Sequence, residues 1–189
     1  SDLDLEVCAS LGTLEEEQVN QLAEVGLKRY NHNLETSMSY YPQICSTHDY
    51  QDRVKTVKLL KNQDVEVCCG GIIGLGESFT DRVELAFALK DLDVDSIPLN
   101  ILNAVPGTPL EENPSVAPLE ALQTAAIFRF VNPNKVIKLC GGREKNLRDL
   151  QSLSLLAGVN GLLVGNYLTT EGRSVADDLQ MIDDLGLKR

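Results

Sequence analysis

The sequence predicts an α/β fold with parallel strands. Apolar, strand-like runs begin near Leu5, Leu27, Val65, Ser96, Val136 and Gly161, and a helical pattern follows each, over 15–24, 51–60, 81–92, 119–130, 146–156 and 176–185. The repeat is about 30 residues, the length of one strand with its crossover helix, so the strands run parallel with right-handed crossovers. The oddly placed polar and sulfur residues fall where strands end. Six such units could form a doubly wound open sheet, or six-eighths of a (β/α)8 barrel, which ordinarily takes about 250 residues.

Each element has local support. Thr13 with Glu16 predicts a capping box for the first helix, and Thr80 and Pro118 suit the first turns of two others. Gly26 and Gly158 fall where helices should stop. No linker or change of composition interrupts the 189 residues, so a single domain over 1–189 is expected. With 43% hydrophobic residues and no Trp, its core should be aliphatic.

Composition also excludes classes of function. A net charge of −11 without a basic run argues against binding a nucleic-acid backbone, which needs clustered Lys and Arg. Apolar stretches such as 67–76 are far too short to span a membrane. No charged segment followed by an apolar one opens the chain at Ser1, so no signal peptide is expected. The five cysteines (8, 45, 68, 69 and 140) are an odd number, which suits a reducing cytoplasm and thiols kept for metal or redox chemistry.

The segment 30–37 reads YNHNLETS, and it is the most informative stretch. With a period of two, Asn31, Asn33 and Glu35 point the same way at a strand end. Two amides and a carboxylate on one face need partners, and a small polar ligand can supply them. The alternative is a strand end that meets only solvent. His32 alternates to the other side and reads as a packing histidine, and His48 as loop surface.

Cys8 closes the first strand, Cys68 and Cys69 the third, and Cys140 and Arg143 the fifth, while Asn100 lies in the fourth. Neighbouring Cys68 and Cys69 cannot both face inward on a regular strand. Any one cysteine can be a small buried hydrophobe, the simplest reading for Cys45. Cys8 and Cys68 at equivalent rim positions suggest soft ligands for iron–sulfur chemistry, with a guanidinium offsetting their charge. No CxxC pair suggests a zinc ribbon. The glycines of CGGIIGLGE run GxxGxG, not the dinucleotide order, and Gly70 and Gly71 read as places where a ligand approaches the backbone. Asp91, Asp93 and Asp95 read as a solvated turn rather than a calcium loop.

Taken together, YNHNLETS, VCCGGIIGLGE, the PLN of 98–100, GTPL from Gly107, GGRE from Gly141 and GNYLTT over 165–170 resemble biotin synthase, of the radical S-adenosylmethionine (SAM) superfamily. The resemblance runs in order along essentially the whole chain. It implies an incomplete TIM-type (β/α)8 barrel, corresponding to strands three to eight. It assigns Cys8 and Cys68 to an auxiliary iron–sulfur cluster of the 2Fe–2S type, with Arg143 as that cluster's arginine ligand. Asn31, Asn33 and Asn100 would line the dethiobiotin site. Asn33, Glu35 (an Asp in relatives) and the Ile72 backbone would contact SAM. In that family a 5′-deoxyadenosyl radical removes hydrogens from dethiobiotin, and the auxiliary cluster donates the sulfur that closes the ring. A flavodoxin-type reductant and a homodimer are implied for the full-length protein.

The CxxxCxxC that would hold the SAM-cleaving 4Fe–4S cluster is absent. The chain as it stands is therefore expected to be inactive alone, and to be aggregation-prone at strand edges near 5–7 and 162–164. The thiols of Cys69 and Cys140 bear on the type of auxiliary cluster. The expectation is that thiols 8 and 68, guanidinium 143 and the three amides share one concave mouth. Two other readings compete: a related radical SAM enzyme, of the hydrogenase-cluster maturase or methylornithine synthase type, and a non-catalytic partial-barrel binding module.

Overall fold

Parallel strands alternating with helices make up the computed structural model, which describes residues 5–167 and 170–188. Leu168 and Thr169, inside the GNYLTT motif, lie outside the described residues. The chain divides into two compact units, Ser1–Gly71 with Ser78–Pro98, and Ile72–Glu77 with Leu99–Arg189. Nothing in the composition marks that division, and the sequence reading had placed one domain over 1–189.

The first unit holds β1 (Cys8–Ala9), α1 (Glu16–Glu24), β2 (Arg29–Asn31), α2 (Tyr41–Ile44), α3 (Tyr50–Lys61) and β3 (Glu66–Cys68). After β4 (Gly71–Ile73), which begins in this unit, comes α4 (Phe79–Asp91), and then the start of β5 (Ser96–Ile101). β1 pairs in parallel with β2, β2 with β3, and β3 with the start of β5. α4 buries Arg82, Leu85, Ala86 and Leu89, the i, i+3, i+4, i+7 face of a helix laid on a sheet. α3 buries Tyr50, Thr56, Val57 and Leu60 in the same manner.

Local signals decide the details. The capping box of α1 is Glu15 with Gln18, not Thr13 with Glu16; the Gln18 carbonyl accepts the Glu15 N–H at 2.9 Å. Tyr30 is fully buried, and its hydroxyl accepts from Leu11 N and donates to Gly12 O, both at 2.8 Å. That one hydroxyl ties the β1–α1 loop to the sheet. A Cβ on Gly70 would stand 2.0 Å from Pro98 O, and one on Gly71 2.5 Å from Glu35 O. The close approach that these glycines permit is thus made by the protein's own backbone rather than by a ligand. Asp95, in the supposed acidic turn, is a tether: it accepts from Lys61 Nζ at 2.9 Å and from Val67 N at 2.7 Å.

The second unit contains the rest of β4 and β5, then α5 (Pro118–Val131), β6 (Val136–Leu139), α6 (Arg143–Leu147), α7 (Gln151–Leu156), β7 (Gly161–Leu162) and α8 (Val175–Asp184). β6 pairs in parallel with β7, and Cys140 N donates to Leu99 O at 3.0 Å, which joins the end of β6 to β5. Pro118 opens α5 as expected, at the position where its missing N–H costs nothing. The helix expected over 146–156 is instead broken. Arg148 has φ +52°, and a 3₁₀ turn separates α6 from α7. Among the described residues no helix is long and apolar enough to cross a membrane.

His32 follows β2 and is 5% exposed, with the Tyr30 ring 6.3 Å away between centroids. Its Nε2 has no hydrogen-bond partner, so it is a packed histidine but not a satisfied one. Burial, then the charge of Arg53 and a contribution from the neighbouring His48, hold its pKa down to about 4.

Two outcomes follow for stability. Tyr30→Phe should cost about 1–3 kcal/mol in a denaturant titration, because Leu11 N and Gly12 O lose their common partner. Between the ordinary histidine pKa near 6.5 and the folded value, the unfolded chain binds a proton that folded His32 refuses. Stability therefore falls as pH drops through that window, by at most about 3 kcal/mol from this residue. His32→Gln should make the acid limb of the stability curve shallower, and an unchanged limb would refute the assignment.

Candidate functional site

Register places the candidate residues of the first unit. In a parallel ladder paired residues share a face, and neighbours along a strand alternate. Cys8, Arg29 and Glu66 form one row. Asn31, Cys68 and Ser96 form the next row of the same face, two residues and roughly 6–7 Å further along the strands. Tyr30 and Val67 take the other face, and both are fully buried. The pleat thus carries Cys8, Asn31 and Cys68 on one side. Cys8 is exposed and Cys68 buried. Cys69 follows Cys68 on the opposite side, where burial pushes its thiol well above the ordinary range. Arg29 and Glu66 form an ion pair in the Cys8 row, with Arg29 Nε 2.9 Å from Glu66 Oε2.

Beyond β2 the chain leaves the ladder and builds a pocket. A cavity of about 170 Å³ is lined by Asn31, His32, Asn33 and Glu35, with Arg53 reaching in from α3 and Ser10 and Gly12 from the β1–α1 loop. Asn33 turns its side-chain oxygen to Gly70 N at 3.1 Å. Leu34 N and Glu35 N both donate to Gly70 O, at 3.0 and 3.3 Å. Glu35 adopts φ +71°, a left-handed conformation that an L-residue keeps only when its surroundings impose it. Burial raises the Glu35 carboxyl above its ordinary pKa, opposed by the Arg53 charge and an Asn33 hydrogen bond.

Arg53 is the residue that the sequence reading missed. Its Nη1 lies 2.8 Å from Asn33 O and 3.5 Å from Glu35 Oε1. Its Nε donates to Tyr41 OH at 2.7 Å and its Nη2 to His48 Nε2 at 3.2 Å. The guanidinium carbon also stands 5.7 Å from the centroid of the Tyr41 ring. The signal was available: Arg53 falls three residues after Tyr50 and four before Val57, on the inward stripe of α3. The same network overturns the surface reading of His48 and gives Cys45 polar neighbours, Thr47 Oγ1 and His48 Nδ1, each at 3.6 Å. Hydrogen bonds, from Tyr41 first, bring the Cys45 thiol down to about 6.

The second unit holds the other candidates. Ile72 is the middle residue of β4. Asn100 lies on β5, its side-chain oxygen accepting Gly141 N at 3.2 Å. Arg143 does not finish a strand. It opens α6, fully buried, with Nη1 2.5 Å from Gln151 Oε1 and Nη2 2.5 Å from Asp178 Oδ2. Its Nε lies 3.4 Å from Glu144 Oε1, and its Nη2 also reaches Leu163 O at 3.4 Å. The resemblance had given this guanidinium to the auxiliary cluster; the structure commits it to protein acceptors in the helical layer of its own unit. Among the described residues no three His, Cys, Asp or Glu side chains gather into a metal set. Cys8 and Cys68, in successive rows of one face, are two thiols, fewer than a complete iron–sulfur ligand set.

Family models match both halves of the chain. Residues 1–89 match the radical SAM superfamily, and 98–188 match the biotin and thiamin synthesis associated domain. That boundary falls beside the Pro98–Leu99 division between the compact units. Biotin synthase of Carboxydothermus hydrogenoformans is 58% identical over 187 residues, 99% of this chain and 58% of that protein. Biotin synthase of Pelotomaculum thermopropionicum is 59% identical over 97% of this chain and 57% of its own length. The chain thus spans a little under three-fifths of these relatives. Among solved structures, methylornithine synthase superposes with a TM-score of 0.80 at 21% identity, over 99% of this chain and 59% of that one. A hydrogenase maturase from Carboxydothermus hydrogenoformans gives 0.75 at 15% identity, over 96% and 47%. These likenesses establish the fold alone. With the sequence matches running from end to end, the chain belongs to the biotin synthase family of the radical SAM superfamily.

Proposed function

We propose that this chain carries the dethiobiotin-binding and sulfur-donor part of a biotin synthase, an S-adenosylmethionine-dependent sulfur insertion that converts dethiobiotin to biotin. The observation that carries the reading is the row of Asn31 and Cys68 on adjacent strands, one face shared with Cys8, beside the cavity of Asn33, Glu35 and Arg53. It places amide donors and acceptors next to soft thiols. A neutral ureido ring is matched by amides, whereas an amino-acid substrate calls for charged partners.

In this reading Asn31, Asn33 and Asn100 bind dethiobiotin. Asn33, Glu35 and the Ile72 backbone contact SAM. Cys8 and Cys68 hold the auxiliary cluster, of the 2Fe–2S type, and that cluster, when bound, supplies the sulfur. Gly70 N holds the Asn33 side-chain oxygen and Arg53 holds the Asn33 backbone carbonyl, which orders this residue before a ligand arrives and lowers the ordering cost of binding. Arg53 also keeps a positive charge against Glu35, so the pocket wall is close to neutral. The SAM-cleaving 4Fe–4S cluster belongs to the full-length protein, working in the cytoplasm as a homodimer with a flavodoxin-type reductant. This chain alone is inactive in that scheme.

Reconstituted anaerobically in the full-length protein, Cys8→Ala and Cys68→Ala should each lose the auxiliary cluster's absorbance, iron and sulfide while retaining SAM cleavage. Full cluster absorbance in Cys68→Ala would contradict the ligand assignment. Asn31→Ala should raise the KM for dethiobiotin about tenfold, the cost of one lost hydrogen-bond partner in a site built for it. An unchanged KM would remove Asn31 from the substrate site.

A further inference from the structure

Arg143 is the largest fully buried side chain among the described residues, and it lies outside the ladder of the sheet. Its guanidinium joins three segments: Gln151 at the start of α7, Leu163 O just beyond β7, and Asp178 on α8. Asp178 is itself fully buried, its second oxygen 3.9 Å from Arg173 Nε. Glu144, next along α6, accepts from Tyr167 OH at 3.0 Å and from Arg173 N at 3.3 Å. Tyr167 OH also stands 3.2 Å from Cys140 O.

On its other side Arg143 adjoins a turn that leaves no slack. Gly142 has φ +81°, and a Cβ there would stand 1.8 Å from Ile101 O. Gly141 O accepts Ile101 N at 2.9 Å, and Gly141 N donates to the Asn100 side-chain oxygen at 3.2 Å. Asn146 closes the same turn from within α6, donating to Gly142 O at 2.8 Å and Leu102 O at 3.2 Å. The backbone amide of Gly141 therefore decides which end of the Asn100 amide is the carbonyl, and Arg143 anchors the helix that begins one residue after the turn.

We propose that the buried Arg143–Asp178 pair with Gln151 is a positioning device for Asn100: it locks the Gly141–Gly142 turn, and the turn sets the orientation in which Asn100 meets the ureido ring of the substrate. The pair acts through Asn100 and does not touch the substrate, so Arg143, Asp178 and Gln151 are positioning residues. The inference rests on the biotin synthase reading and deepens it at one residue.

The test uses the full-length protein, with dethiobiotin and SAM as the varied substrates. Asp178→Asn should raise the KM for dethiobiotin about tenfold, leaving the KM for SAM and the auxiliary-cluster absorbance unchanged. In an Asn100→Ala background the same substitution should have no further effect on the dethiobiotin KM, since residues acting through one another are not additive. Gln151→Met, which spares the ion pair and keeps the volume, should give a milder shift of about threefold with the same dependence on Asn100. An unchanged dethiobiotin KM in Gln151→Met, or full additivity with Asn100→Ala, overturns the device. Should the wild-type full-length protein fail to convert dethiobiotin, the functional reading fails instead, so the two failures are distinguishable.

Discussion

Parallel pairing between short strands is the constraint on which the first unit depends. β2 and β3 are only three residues each, yet their register fixes the side of every residue that matters. A shift of one residue would exchange the faces, carrying Asn31 and Cys68 to the side of Tyr30 and Val67 and the reverse. The register is secured from both faces. Tyr30 and Val67 give up all their exposed surface on the apolar side, and a large aromatic burial of this kind is worth about 2–3 kcal/mol. On the polar side the Arg29–Glu66 pair contributes little energy at its exposure, but a slip would leave it without cross-strand partners. The side on which Cys8, Asn31 and Cys68 stand is therefore fixed by their neighbours in the ladder.

The second unit solves a comparable problem with charge. Moving an arginine and an aspartate out of water costs several kcal/mol per ion, and their attraction offsets that only when the geometry is good and the remaining groups are satisfied. Here Gln151 and Leu163 O accept from the guanidinium and Glu144 lies within ion-pair distance, while Arg143 Nε and Asp178 Oδ1 are left without a hydrogen-bond partner. Apolar side chains of equal volume could hold α6, α7 and α8 together as firmly. They could not fix a rotation or register, because dispersion has no direction. A buried guanidinium with three separate acceptors does have direction, and that is what the turn before α6 needs if it is to present one orientation of Asn100.

Much of this architecture was legible in the letters. Strand β5 and helix α5 are among the longer elements, β6 alternates, and Pro118 marks the start of α5, so alternation and capping located them within a residue or two. The amides of Asn31 and Asn33 announced a polar strand end because no apolar core would accept them. Other features left no signal. Arg148 breaks the expected 146–156 helix through a left-handed φ that no glycine or proline marks. The capping box moved from Thr13 to Glu15 because either side chain can fill that role, and only the helix start decides between them. Arg143 was misread since a motif gives an order of residues and not a direction. With Gly142 left-handed just before it, the side chain turns into the helix layer instead of towards the strand ends. Arg53 lay within reach of a periodicity argument, but a cation on an inward stripe looks like an error until its acceptors are seen.

The pocket in the first unit also differs in charge from the chain that carries it. The protein bears −11 overall, yet the cavity wall combines one guanidinium, one carboxyl raised by burial and one imidazole kept neutral. These states depend on one another. Arg53 helps to hold His32 neutral and opposes the upward push on Glu35, while burial acts on both. Tyr41, Asn33 O and His48 hold Arg53 in place, so its charge faces both groups from a fixed position. A neutral, hydrogen-bonding ligand gains most from such a wall, since binding it leaves no charge uncompensated in a region of low polarity.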